Sequence, residues 1–82
     1  MKVIKLSYPP SEDLKEIKIR RPKLRDIKEV MSLKDLDDLD RDLLLLEKLT
    51  GVPKQVLEEL DIADWTKLQT ALAEMMGNSA TR

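Results

Sequence analysis

Five aspartates crowd one short stretch: Asp35, Asp37, Asp38, Asp40 and Asp42. Asp38-Leu39-Asp40-Arg41-Asp42 has the alternation of the first half of a calcium loop. The sixth loop position needs a glycine for the sharp turn and is Leu43; the twelfth needs a bidentate glutamate and is Leu49. Leucines at helical spacing run through the same residues. The stretch therefore reads as the acidic first half of a helix, favoured by the positive end of the helix dipole. Paired carboxylates can do acid–base work where a pocket separates their pKa values, but the sequence promises no such pocket. Ser7, Ser11, Ser32, Ser79 and the four threonines have no histidine to activate them, because the chain has no His. A Ser–Lys pair is the one nucleophile that spacing leaves open. With no Cys there are no disulfides, thiolate nucleophiles or Cys-based metal sites. Two glycines, Gly51 and Gly77, do not make a phosphate-cradling loop. The expectation is a protein that is not an enzyme and has no cofactor and no metal.

Binding chemistry has two candidates. Lys15, Lys18, Arg20, Arg21, Lys23, Arg25 and Lys28 form a basic segment able to neutralise phosphates. Glu12, Asp13, Glu16, Asp26 and Glu29 are interleaved with it, and no aromatic is there to stack on a base. A solvated face laced with ion pairs is the simpler reading. Residues 52–76 have the outline of a helix-turn-helix. Their second helix sets Asp61, Asp64 and Glu74 against Lys67 alone, a poor charge balance for a DNA groove. A small DNA-binding regulator is thus the alternative reading, and no nucleic-acid partner is expected.

These residues sit on a chain of 82, of which 41% are apolar and 38% charged. A chain of this size buries only ~60–65% of its unfolded surface, so its core is small. Residues 1–34 hold ten Lys/Arg and five Asp/Glu, a net of +5; residues 35–82 hold five and eleven, a net of −6. No apolar run reaches the roughly 18 residues of a membrane helix, and charge interrupts the start too early for a secretory signal. A small soluble intracellular domain, with no membrane partner, is expected.

The periodicity changes from two to 3.6 after Pro22. Residues 2–8 and 14–20 alternate as strands around Pro9-Pro10-Ser11-Glu12-Asp13, a stop and a turn. They make an antiparallel hairpin, which needs helices to cover its apolar face. Leu24, Ile27, Val30 and Met31 form a first helical stripe after Pro22. Ser32-Leu33-Lys34-Asp35 has the form of a capping box, which predicts a second helix from Leu33 to about Thr50. Gly51 is its stop, Pro53 starts a short helix, and Asp61 caps a last one ending at Gly77. The predicted fold is α+β, an N-terminal β-hairpin followed by three or four packed α-helices. One domain is expected over 1–76, with the hairpin at 2–20, the helical part at 22–76 and a polar C-terminal tail at 77–82. The expected core is Ile4, Leu6, Ile17, Ile19, Leu24, Ile27, Leu36, Leu39, Leu43, Leu46, Leu57, Leu60, Trp65, Leu68 and Leu72. Leu44 and Leu45 lie beyond the stripe this core needs, so they are the candidate partner-binding residues.

The run Leu43-Leu44-Leu45-Leu46-Glu47-Lys48-Leu49-Thr50-Gly51-Val52-Pro53 is followed by Leu57, Leu60-Asp61, Ala63-Asp64-Trp65 and Leu68. In this order it resembles the tail assembly chaperone family of temperate phages with contractile tails, Mu-like phages and prophages among them. Ile17-Lys18-Ile19-Arg20-Arg21-Pro22 with Asp26-Ile27 resembles the family's strand ending before the first helix; Arg21 stands where the family usually has glutamate. The resemblance covers roughly residues 3–72 and carries over no catalytic residue. It implies a cytoplasmic protein of the bacterial host cell that holds the tape measure protein during tail assembly. It also implies a frameshifted longer form of the same protein as a partner; the opposite charge of the two parts of the chain can in addition draw copies of it together as a homo-oligomer.

Overall fold

The computed structural model describes residues 1–77; the predicted polar tail, Gly77 apart, lies outside the described residues. The order of elements is β1 (Lys2–Lys5), β2 (Glu16–Ile19), α1 (Leu24–Met31), α2 (Asp38–Thr50), α3 (Lys54–Leu57) and α4 (Ile62–Met75). This is the expected α+β architecture: an N-terminal hairpin followed by four helices.

The strands pair antiparallel with Lys2 opposite Ile19 and Ile4 opposite Ile17. Ile4, Ile17 and Ile19 thus share one buried face, while Lys5, Glu16 and Lys18 point to solvent. Both strands are shorter than the alternation suggests. The Ser7 and Tyr8 amides, which a longer β1 would spend on its ladder, are donated instead to the carboxylate of Asp64. The chain returns through an isolated bridge between Ser11 and Leu14.

The helix boundaries follow from their caps, with one departure from expectation. Ser32 does not start α2. It ends α1, its Oγ donating to the Glu29 carbonyl at 2.7 Å. The chain then turns at Asp35, whose φ of 65° is the left-handed conformation that Asp tolerates better than most residues. Asp37 is the cap of α2, its Oδ1 accepting the Asp40 amide at 2.8 Å. Leu33 to Leu36 therefore lie outside the helix. Leu39, displaced to its first turn, faces solvent. At the other end Gly51, φ 77°, closes α2, and its amide bonds the Glu47 carbonyl. Glu47 also takes the Lys54 amide at 2.7 Å, so the same residue caps α3.

One cluster of buried side chains joins the hairpin to the helices. It holds Ile4, Leu6, Ile17 and Ile19 from the hairpin, Val30 from α1, and Leu43, Leu45, Leu46 and Leu49 from α2. Leu57, Trp65, Leu68, Ala71 and Leu72 complete it. Ile27 and Leu60, expected in the core, are half-buried and pack against it; Leu36 is half-buried too. Leu24 is not core: it opens α1 on the far side of the helix from Val30 and is 82% exposed.

Replacing Leu46 by Ala should cost on the order of 2–5 kcal/mol, because it is wholly buried. Leu24→Ala should stay within about 0.5 kcal/mol. Chemical denaturation of the two variants beside the parent checks both.

Candidate functional site

Two carboxylates lock the elements that any binding surface on this fold depends on. Asp64, in the first turn of α4, is fully buried. Its oxygens accept the Ser7 amide at 2.8 Å and the Tyr8 amide at 2.9 Å, and Lys67 stands 3.4 Å away. Burial penalises the charged form, but the two amides and the Lys67 ammonium outweigh it and hold the carboxyl below its ordinary pKa. Lys67 reaches on to the Lys5 carbonyl and the Ser7 hydroxyl. The loop after β1 is thereby pinned to α4.

The second lock is Asp26 in α1, also buried. Arg20, just past β2, donates two parallel bonds to it at 2.9 and 3.0 Å. The Lys23 amide adds a third at 2.8 Å. The guanidinium foremost, and then that amide, hold the Asp26 carboxyl well below the usual carboxylate range. The Arg20 amide itself donates to the Leu49 carbonyl at 3.1 Å, so one residue ties β2, α1 and the end of α2 together. Arg21 donates to the Met75 carbonyl at the end of α4.

The charged clusters singled out in the sequence are used largely in such contacts. The aspartate-rich stretch is a loop and the continuous start of α2, not a calcium loop. On α4, Lys67 is committed to the hairpin and to Asp64, which leaves this helix without a free basic side chain and weakens the helix-turn-helix reading. Glu29 of the basic segment pairs with Lys48 on α2.

Leu44 and Leu45 separate. Leu45 is 6% exposed and belongs to the core; Leu44 is half-buried against it. The reason is the breadth of the core: α2 has both the hairpin and α1 beside it, so its buried face is wider than a single stripe. Leu45 does reach a surface feature. It lies in the floor of a groove of about 540 Å³ between α1, α2 and α4, with Val30 and Leu72. Met31 and Met76, at the ends of α1 and α4, stand at its rim and are 64% and 43% exposed. Helical periodicity places these methionines on core stripes. Their position at helix ends, where packing runs out, is the signal that would have set them apart.

A model of the family described as phage tail assembly chaperone proteins, E, or 41 or 14, matches residues 4–77. No curated protein and no solved structure matches the chain.

The Asp64 lock fixes the sign of a pH dependence. A carboxyl held below its unfolded value of about 3.9 stabilises the fold fully above that pH and loses the effect as pH falls further. Melting temperature should therefore be flat from neutral pH to about pH 5 and drop steeply below pH 4. Asp64→Asn should melt lower at neutral pH and show a shallower acid drop, followed by circular dichroism. Leu45→Ser should cost on the order of 2–5 kcal/mol in the same assay, as a core replacement.

Proposed function

This chain belongs to the phage tail assembly chaperone family, and from that premise we propose that it is a non-catalytic binding protein that holds the tape measure protein while the tail is assembled. The observation that carries this is the family match, which runs from within β1 through all four helices rather than covering one motif. The site of action would be the cytoplasm of the bacterial host. Among the described residues no helix is long and apolar enough to cross a membrane.

The physical features are in keeping with a holding role. A tape measure protein is a long helical rod whose apolar stripes are uncovered until tube subunits surround it. A holder of such a rod needs apolar side chains on an otherwise charged exterior. Here Met31 and Met76, at the ends of α1 and α4, are exposed among Lys, Arg, Asp and Glu. A weak contact per copy suffices if many copies line one rod, since avidity multiplies along it. Of the two leucines expected at the contact, Leu45 would take part as the floor of the groove. The helix-turn-helix alternative has only the outline of α3 and α4 in its favour, and the family match gives it no support.

Co-expression with the tape measure protein of the same phage or prophage tests the reading. The tape measure protein should be soluble and co-purify with the chain, and should aggregate without it. A tape measure protein equally soluble in its absence, with no co-purification, would refute the assignment of this client.

A further inference from the structure

We propose that the groove between α1, α2 and α4 receives an amphipathic helix of the client whose apolar stripe is flanked by lysine or arginine. The proposal rests on the reading of the chain as a client-holding protein and adds the surface and the chemistry of the segment held.

The first observation is the floor and rim. Val30, Leu45 and Leu72 give an apolar bed, and Met31 and Met76 border it. Methionine is unbranched and polarisable, so a rim of this kind adapts to varied apolar side chains. Recognition by such a groove reads anchors at i, i+3, i+4 and i+7 of a helix.

The second observation is the polar wall. The Nε of Arg41 is buried there and has no hydrogen-bond partner among the described residues. Its terminal Nη1 lies 3.7 Å from Asp38. The exposed part of the Arg41 guanidinium, held only by that long contact to Asp38, is the donor that a backbone carbonyl or side-chain amide of an occupant can reach.

The third observation is charge. Asp38 and Asp42 line the same wall, Asp42 bonded to Gln69 at 3.0 Å and Asp38 fully exposed at the mouth. Asp35, Asp37 and Asp40 follow around this end of α2. Against these acids stand Arg41, already beside Asp38, Lys54, beside Asp40, and Lys34, next to Asp35 in the loop, while Arg21 lies by the Met75 carbonyl at the α4 side of the rim. The mouth is therefore acidic. It favours a basic flank on the occupant and disfavours an acidic one.

The test uses two synthetic helical peptides with the same leucine stripe, one flanked by lysines and one by glutamates. A fragment of the tape measure protein is measured in parallel. The parent protein should bind the lysine-flanked peptide at least about tenfold tighter than the glutamate-flanked one. Met31→Lys with Met76→Lys adds two cations at the rim without touching a buried side chain. This double variant should keep its melting profile and lose binding by about tenfold or more. Met31→Leu with Met76→Leu keeps the rim apolar and should bind as the parent does. Leu24→Lys with Ile62→Lys, at exposed apolar positions outside the groove, should also bind as the parent does.

Equal affinity for the two peptides, or parent-like binding by the lysine rim variant, would overturn the proposal. So would a rim variant that turns an oligomer into a monomer on size exclusion, since the occupant would then be a second copy. If the tape measure fragment binds the parent and the rim variant alike, the groove fails and the chaperone reading stands. If the fragment binds neither while the lysine-flanked peptide behaves as expected, the groove stands and the assignment of the client fails.

Discussion

A buried carboxylate, Asp64, is the constraint around which the hairpin and the last helix are arranged. Taking an ionised carboxylate out of water costs several kcal/mol, and only close, well-aimed donors offset it. Asp64 has them in two consecutive backbone amides, Ser7 and Tyr8, and in Lys67 one turn along its own helix. Consecutive amides can converge on one carboxylate only where the chain leaves strand geometry. The length of β1 is therefore set by α4, not by the alternation of its own residues. Lys67, reaching the Lys5 carbonyl, binds the same junction from the side.

The hairpin has a second anchor at its other end, and the two differ in kind. Asp26 is held by a bidentate guanidinium from Arg20, a geometry that lysine does not reproduce. The backbone of Arg20 meanwhile uses a carbonyl that α2 leaves free in its last turn, that of Leu49. A two-stranded sheet is marginal alone. Here it is fixed at one end by a carboxylate from α4 and at the other by contacts with α1 and α2, and its isoleucines are driven into one core. The leucine-threonine-glycine ending of α2 serves the same junction. Thr50 Oγ1 donates to the Leu46 carbonyl and accepts the Val52 amide, while Gly51 turns the chain toward α3.

What was legible in the sequence was the part governed by local rules. The hairpin, the stop at Gly51, the cap at Asp61 and the central leucines of α2 follow from periodicity and capping chemistry, and the structure has each of them. What was hidden depends on contacts far apart in sequence. Ser32 satisfies the same local pattern as an N-cap, but it ends α1, and the turn at Asp35 hands the cap to Asp37. Leu45 lies beyond a single helical stripe, and it is core because α2 packs against both the hairpin and α1. Asp64 stands in the first turn of α4, where an acid is favourable on local grounds alone; the two amides it binds lie more than fifty residues away. The groove has no motif at all. It arises because α1 is short and carries its last apolar side chain, Met31, past the edge of the core.

The charge asymmetry between the halves of the chain is resolved by the same packing, and only in part. Lys2 meets Glu74, Glu29 meets Lys48, and Arg21 caps the carbonyl end of α4. The first and third contacts set charge of the basic first part against the second part, while Glu29 and Lys48 pair in the opposite sense. Such exposed pairs add little stability, but they consume charge that would otherwise face solvent. What they leave is not spread evenly. The aspartates at the start of α2 sit beyond the reach of the basic hairpin, beside the uncovered apolar floor between α1, α2 and α4. An apolar surface next to an acidic one is avoided where a protein has only to stay folded and soluble, because it invites association with basic amphipathic segments. Leu45 and Leu72 are themselves buried at the bottom of the groove, so the apolar surface it leaves open is chiefly that of Met31 and Met76 at the rim. The proposed helical occupant would cover that rim and set its own charges against the aspartates beside it.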